Sequence, residues 1–227
     1  MPTRTEEVIT VIVKINGDII SNDLKEVYDW FGFESTCPAD IVQAIQSKPK
    51  GEKLEIKINS GGGFVDDGKE IYSILRGRDD VSIEVESIAG SAASVIAMAG
   101  PSTISPAGMI MIHNVSCSAS GNKNDMKKTV EVLKAYDESI AAAYTEKTGM
   151  EMDVVLKLMD KETWLPADRA IELGFIDAIS ERGSVKTNGN VMVTADMIAE
   201  FKTAKDKETK KREAKQKLLN DLDNYGI

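Results

Sequence analysis

The sequence predicts an α/β protein with a largely parallel sheet, because short apolar strands alternate with amphipathic helices. A strand at Leu54–Ile58 is followed by three glycines and a helix at Phe64–Arg76. A second strand, Val81–Val85, leads into small residues and a short apolar helix at Ser94–Ala99. Both strand–turn–helix units place their turns at the carboxyl edge of one sheet, where such folds gather their functional groups.

The same patterns predict the other elements and the domain organisation. They are strands at Val8–Ile15, Met109–Ile112 and Phe175–Ile179, and helices at Asp23–Phe33, Pro38–Ile45, Asp125–Lys147, Met152–Met159 and Pro166–Leu173. Ser102–Gly108 is predicted as a loop. We predict one domain over residues 1–183 and an extension over 184–227, with a hairpin at Asn188–Gly189. Within the extension, Lys205–Lys217 has seven basic and three acidic side chains, a net charge of +4, which indicates a charged tail, mobile or helical.

Length, charge and hydropathy limit the classes of protein to which this chain can belong. The 227 residues are enough for one sizeable core with appendages. A net charge of −9 argues against nucleic acid as a partner. No segment reaches the roughly 18 apolar residues of a membrane span, and the N-terminus lacks the apolar run of a signal peptide. We therefore expect a cytoplasmic protein with neither membrane nor nucleic-acid partners.

Cysteine and histidine are scarce. Two cysteines, Cys37 and Cys117, do not make a disulfide framework and favour a reducing compartment. Together with the single histidine, His113, they cannot build a zinc site of the usual spacing, and we predict no metal and no cofactor. If a histidine acts as a base in this protein, it must be His113.

The stretch Ser87–Gly100 contains a candidate nucleophile. Ser91 and Ser94 are the only hydroxyl residues between Ala89 and Gly100, and their neighbours are small. Small residues suit a tight strand-to-helix turn, and a serine at a helix N-terminus sits beside free N–H groups that favour developing negative charge. Ser94, at the start of the predicted helix, is either such a nucleophile or an N-cap within a packing contact.

The glycine loop Asn59–Gly63 is a candidate anion site. It could hold a phosphate, but no Gly-Lys-Ser/Thr follows it, so a P-loop is disfavoured. It could instead present backbone N–H groups to an oxyanion, or be a flexible turn. His113 ends the apolar strand Met109–Ile112 and is either structural or catalytic. A histidine base needs an orienting carboxylate, and Asp160 and Glu162 are candidates. The absence of a Gly-x-Ser-x-Gly elbow disfavours an α/β-hydrolase.

Four segments, in order, resemble the proteolytic subunit family of Clp proteases. INSGGG (58–63) resembles the family's INSPGG loop, with Gly61 replacing the proline, and GSAASVIAMAG (90–100) resembles its G-x-A-A-S segment. MIMIH (109–113) resembles the strand that ends in the catalytic histidine, and ETWLPADRAIELGFIDAI (162–179) resembles the late acidic segment. The similarity runs over roughly Val8–Ile179. The segments ETWL (162–165) and AASVIAMAG (92–100) look closest to those of the phage head maturation (prohead) proteases.

This resemblance implies a serine endopeptidase. Ser94 matches the nucleophile, and His113 matches the general base that later protonates the leaving amine. Glu162 matches the family's catalytic aspartate. The N–H groups of Gly63 and Val95 match the oxyanion hole. Asp160, two residues earlier, is an alternative candidate for this carboxylate, because Glu162 is one methylene longer than the family's aspartate.

The resemblance also implies an architecture and partners. It implies a ββα spiral core, as in ClpP and crotonase, with helix 125–147 as a protruding handle, and a homo-oligomeric ring or double ring. The implied substrate is a protein or peptide, in a phage setting the scaffold or the capsid precursor in the host cytoplasm, with a separate AAA+ unfoldase as partner. Two other hypotheses stay open: a crotonase-type acyl-CoA enzyme, which needs no serine nucleophile, and a non-catalytic assembly component.

Overall fold

The structure of this protein is a computed structural model that describes residues 10–181 together with Thr203 and Lys210. The chain divides into two units, residues 1–181 and 182–227. The predicted hairpin at Asn188–Gly189 and most of the predicted charged tail lie outside the described residues. Thr203 and Lys210 are exposed helical positions.

Eight strands form the sheet. They are β1 (Thr10–Ile19), β2 (Ser35–Thr36), β3 (Lys53–Gly63), β4 (Val81–Gly90), β5 (Ser102–Ile104), β6 (Met109–Ile112), β7 (Thr163–Pro166) and β8 (Ala178–Ile179). The described residues also form seven α-helices. They are α1 (Lys25–Phe31), α2 (Pro38–Ser47), α3 (Val65–Leu75), α4 (Ala92–Ala97), α5 (Lys123–Thr148), α6 (Met152–Asp160) and α7 (Ala167–Glu172). The predicted α/β class is confirmed.

The sheet is parallel apart from one strand pair. Its order is β2-β1-β3-β4-β5-β8, with β6 branching from β4 and pairing antiparallel with β7. Strand β4 changes neighbours along its length, since Ile83–Val85 pair with β5 and Ile88–Gly90 pair with β6. The segment predicted as a loop at 102–108 therefore contributes a strand, because β4 offers it a ready partner.

The core lies between the sheet and the helices, and it is built mainly from aliphatic side chains. Ile56, Ile58 and Val85 of the central strands are fully buried, as are Ile96 of α4 and Phe175. The alternation of buried and exposed residues along β3 and β4 matches the period of two expected for a strand. Burial on this scale is the main favourable contribution to folding.

Helix α5 is the longest element of the described residues, at 26 residues, and only its C-terminal part joins the core. Its buried residues are Ile140, Ala141, Ala143 and Tyr144. The helix begins at an Asn122 cap whose side chain accepts from the backbone N–H groups of residues 124 and 125. The N-terminal half leaves Val130 and Val132 about half exposed, so most of the helix adds no apolar surface to the core.

Strand β3 runs five residues beyond its predicted end and includes the glycine loop. Gly62 and Gly63 have φ angles of 110° and 153°, which residues with a side chain rarely adopt. A Cβ on Gly62 would lie 2.6 Å from Ser91 Cβ, and one on Gly63 would lie 2.1 Å from the Ile19 carbonyl oxygen. Gly61 faces open space. The two later glycines therefore let β3 approach β1 and the turn after β4.

We expect Gly62→Ala to destabilise the protein by on the order of 2–4 kcal/mol, because it adds both backbone strain and a clash. For a domain of this size the melting temperature should fall by roughly 5–10 °C in thermal unfolding followed by circular dichroism. The matched control is Gly61→Ala, which should melt like the wild type. Equal melting temperatures for the two variants would show that the loop relaxes at no cost.

Candidate active site

Ser91 lies at the carboxyl end of β4, in the turn to α4. Its φ and ψ are 50° and −124°, a conformation that is uncommon for a residue with a side chain. Its N–H donates to the carbonyl of Met111 at 2.9 Å, which continues the β4–β6 pairing by one residue. The side chain is half-buried and lines a cleft. Strained backbone of this kind is held only when the surroundings determine it strongly.

His113 follows β6 and faces Ser91. In the parallel β4–β6 register Gly90 pairs with Met111, so the residues that follow each strand meet at the same sheet edge. The distance between His113 Nε2 and Ser91 Oγ is 2.8 Å, a good hydrogen bond. With the ring proton on Nδ1, Nε2 accepts the serine proton. The arrangement is a hydroxyl activated by an adjacent base.

The structure does not bring Ser94, the predicted nucleophile, to His113; the serine beside the histidine is Ser91. Ser94 is fully buried inside α4, which begins at Ala92, two residues before the predicted helix start. Its hydroxyl is bonded to the Ser91 carbonyl at 2.6 Å and to the Tyr144 hydroxyl at 2.7 Å. A hydroxyl held in this way inside the core has no access to a substrate.

Because Ser91 rather than Ser94 lies beside His113, the backbone N–H groups nearest that serine differ from the predicted oxyanion donors. The Val95 N–H donates to the Ser91 carbonyl at 3.4 Å, within the first turn of α4. Ala92, the residue after Ser91, is the first residue of that helix, so its N–H has no partner inside the helix. Ala92 and Gly63 both line the cleft beside Ser91. Val95, the other predicted donor, lines the same cleft, but its N–H is directed to the Ser91 carbonyl.

Neither predicted acid touches His113. The antiparallel β6–β7 register pairs Ile112 with Thr163, which sets Glu162 across from His113 along the backbone. The Glu162 side chain is exposed, and its Oε1 accepts from Trp164 Nε1 at 3.2 Å. The exposed Asp160 accepts from the side-chain amide of Asn114 at 2.7 Å.

Asp137 of α5 is a third carboxylate beside the histidine. Its Oδ1 accepts from the Val115 N–H at 2.7 Å, two residues after His113. Burial raises the pKa of Asp137 above its usual value, and the hydrogen bond from the Val115 N–H opposes this only in part. Asp137 is therefore a half-buried carboxylate anchored to the backbone two residues after His113.

Ser91 and His113 share one cleft of about 380 Å³. Helix α3 contributes Asp66 and Asp67, and α5 contributes Ile140 and Tyr144, beside Ser91 and His113. Among residues 10–181, no group of three or more His, Cys, Asp or Glu side chains is placed to hold a metal ion.

Sequence reasoning named Ser91 without choosing it as the nucleophile, and it did not single out Ala92 or Asp137. A signal for Asp137 was present, since it lies three and seven residues before Ile140 and Tyr144 on a helix. That spacing puts a carboxylate on the helix face that the core buries. For Ser91 the predicted strand end at Val85 gave no such signal, since Ser87 would then be the first hydroxyl after the strand; Ser91 takes that place only because β4 continues to Gly90.

Comparisons with known proteins agree with this fold. Residues 35–183 match the sequence profile of the Clp protease family. The ATP-dependent Clp protease proteolytic subunit 1 of Chlamydia muridarum is 29% identical over 174 residues, which cover 71% of this chain and 91% of that protein. Subunit 1 of Chlamydia abortus is 30% identical over 135 residues, 57% of this chain and 70% of that protein. The proteolytic subunit of Bacteroides fragilis is 29% identical over 139 residues, 60% and 67% of the two chains.

The fold and these similarities define a peptidase. The chain belongs to the Clp protease family, and the resemblance predicted from its motifs is confirmed. The ββα core implied by that resemblance agrees with the largely parallel sheet and its helices. Within the described part of the chain, no helix combines the length and the apolar character needed to cross a membrane.

Proposed function

We propose that this protein is a serine endopeptidase in which Ser91 is the nucleophile and His113 the general base. The 2.8 Å contact between Ser91 Oγ and His113 Nε2 carries the proposal. Ser91 Oγ attacks the scissile carbonyl carbon while Nε2 accepts its proton. The protonated ring then gives that proton to the leaving amine, which leaves an acyl-enzyme. Water, activated by the same ring, hydrolyses the ester and restores the serine.

Backbone N–H groups stabilise the tetrahedral oxyanion. Those of Ala92 and Gly63 border the cleft beside Ser91 and lie on two neighbouring strand-to-helix turns. Donors fixed by the backbone need no reorganisation when charge develops on the substrate oxygen. The positive φ angles at Gly62 and Gly63 support this role, since Gly62 lets the β3 turn approach Ser91 closely and Gly63 lets it approach Ile19 of β1.

For the carboxylate that stabilises the His113 cation, we put forward Asp137. It is half-buried, and the Val115 N–H anchors it two residues after His113. Glu162, implied by the family resemblance, is the alternative, with Asp160 as a third candidate. Both are exposed and are bonded to Trp164 and Asn114 respectively, so each would have to give up a contact to reach the ring.

The substrate and partners extend the same proposal. Relatives named as proteolytic subunits of an ATP-dependent protease support a protein substrate, a homo-oligomeric ring and a separate ATPase. The resemblance to phage head maturation proteases supports the scaffold or the capsid precursor as substrate, in the host cytoplasm. Sedimentation of the full chain tests the ring, since a stable monomer at micromolar concentration would contradict it.

A fluorophosphonate probe tests the chemistry. It forms a covalent bond to the oxygen of an activated serine, and mass spectrometry of the digested protein locates the label. We expect the label on Ser91, none on Ser94, and at least a 100-fold slower reaction in His113→Ala. A folded chain without label on Ser91 would overturn the proposal. In that case, calorimetry with coenzyme A would test the crotonase-type alternative.

A further inference from the structure

Two buried hydroxyls lie directly behind the nucleophile. Ser94 Oγ lies 2.6 Å from the carbonyl oxygen of Ser91, and Tyr144 Oη lies 2.7 Å from Ser94 Oγ. Ser94 is fully buried and Tyr144 is 1% exposed. Burial raises the pKa of Tyr144 far above its usual range, so the phenol keeps its proton.

The direction of both hydrogen bonds follows from counting protons. The Ser91 carbonyl can only accept, so Ser94 Oγ donates its single proton to it. Ser94 Oγ then has no proton left for Tyr144, and the Tyr144 hydroxyl donates to Ser94. The result is a chain with one direction, from Tyr144 on α5 through Ser94 on α4 to the carbonyl of Ser91.

The Ser91 carbonyl belongs to the same rigid peptide unit as the Ala92 N–H. A trans peptide is planar, with its C=O and N–H pointing in opposite directions. The Ser94 hydroxyl and the N–H groups of Ser94 and Val95 all hold the Ser91 oxygen towards the core. Holding that oxygen inwards turns the Ala92 N–H towards the cleft, where an oxyanion would form.

We propose that Tyr144 and Ser94 are positioning residues that hold the Ser91–Ala92 peptide in its strained orientation, so that the nucleophile and the oxyanion donor face the substrate together. This inference rests on the proposed function. It gives Ser94 a role that its burial allows, and it ties the geometry of the site to α5. Without the hydroxyl pair, the peptide can relax out of the φ of 50° at Ser91.

The test is the reaction of the full chain with the fluorophosphonate probe, separated into the maximal labelling rate and the probe affinity. We expect the maximal rate to fall about 30-fold in Ser94→Ala and about 5-fold in Tyr144→Phe, with affinity within about 2-fold of wild type. Tyr144→Phe removes one oxygen and keeps the ring that packs against Phe175. The labelling rate of Tyr144→Phe therefore tests the positioning role even if Ser94→Ala folds poorly.

The double variant separates positioning from stability. In Ser94→Ala the buried Tyr144 hydroxyl loses its partner, and a lost buried partner destabilises the fold. Adding Tyr144→Phe removes that orphaned group, so the melting temperature should recover while the labelling rate stays as low as in Ser94→Ala. A role confined to stability would make the rate recover with the melting temperature.

Two control variants make the same kinds of substitution at positions away from the site. Ser102→Ala removes another buried serine hydroxyl, and Tyr72→Phe removes a phenol that bonds Glu146. Both should label at the wild-type rate. Wild-type rates in Ser94→Ala and Tyr144→Phe, or rate losses that multiply in the double variant, would overturn the positioning role alone. A wild-type chain that takes no label on Ser91 would overturn the proposed function as well.

Discussion

Ser91→Ala is expected to reduce peptide hydrolysis by about 10⁴-fold or more, because it removes the atom that forms the acyl-enzyme. The measurement is kcat/KM for a fluorogenic peptide that the wild-type chain cleaves. Ser94→Ala is the matched variant, and we expect it to keep at least 100 times more activity than Ser91→Ala. The opposite order would restore Ser94 as the nucleophile.

A second substitution at this position separates chemistry from strain. Glycine adopts positive φ angles without the steric penalty that a side chain brings, so Ser91→Gly should relieve the backbone at this turn. We expect it to be as inactive as Ser91→Ala and to melt roughly 2–4 °C above it. A gain in stability with a loss of activity is typical of a strained catalytic position.

The fold class could be predicted from the sequence because it depends on patterns repeated over whole elements. The strand–turn–helix units around β3 and β4 have apolar cores of the right period, and buried residues such as Ile56 and Ile83 fall where the pattern puts them. Element ends were harder to predict. Glu86, Ser87 and Gly90 are weak strand formers. Strand β4 nevertheless continues through them, because β6 pairs with its second half.

The choice of Ser94 over Ser91 follows from the predicted start of the helix. The sequence contains two similar triplets of two small residues and a serine, Ala89-Gly90-Ser91 and Ala92-Ala93-Ser94. Both are compatible with a turn into a helix, and the helix start predicted at Ser94, together with the G-x-A-A-S match, favours the second. The pairing of Gly90 with Met111 selects the first. That pairing joins segments more than twenty residues apart, which a local pattern does not contain.

The proposed base could be singled out from the sequence and the proposed acid could not, for related reasons. His113 is the single histidine of the chain and follows an apolar strand, so composition and pattern agree. Asp137 belongs to a long helix that has many charged residues on its exposed faces. Its closeness to His113 depends on how the C-terminal part of α5 packs, and that is a tertiary property.

Asp137→Asn is expected to lower kcat by about 10³–10⁴-fold, the second-largest effect in the site. Stabilising the cation that forms on the histidine needs a negative charge, and an amide in the same place removes it. The amide oxygen still accepts from the Val115 N–H, so the segment after His113 keeps its anchor. The loss should therefore appear in kcat with KM and melting temperature nearly unchanged.

The two exposed acids are the matched comparison for Asp137. Glu162→Gln and Asp160→Asn remove one charge each, and we expect losses below about 10-fold, since water screens exposed groups. A larger loss for Glu162→Gln than for Asp137→Asn would assign the acid to the position implied by the family resemblance. It would also mean that the Glu162 side chain leaves Trp164 for His113 when substrate binds. A dominant effect of Asp137→Asn would instead place the third member on α5, the helix that also holds the Ser91–Ala92 peptide through Tyr144. The base, the nucleophile and the oxyanion donor would then all depend on how one helix packs.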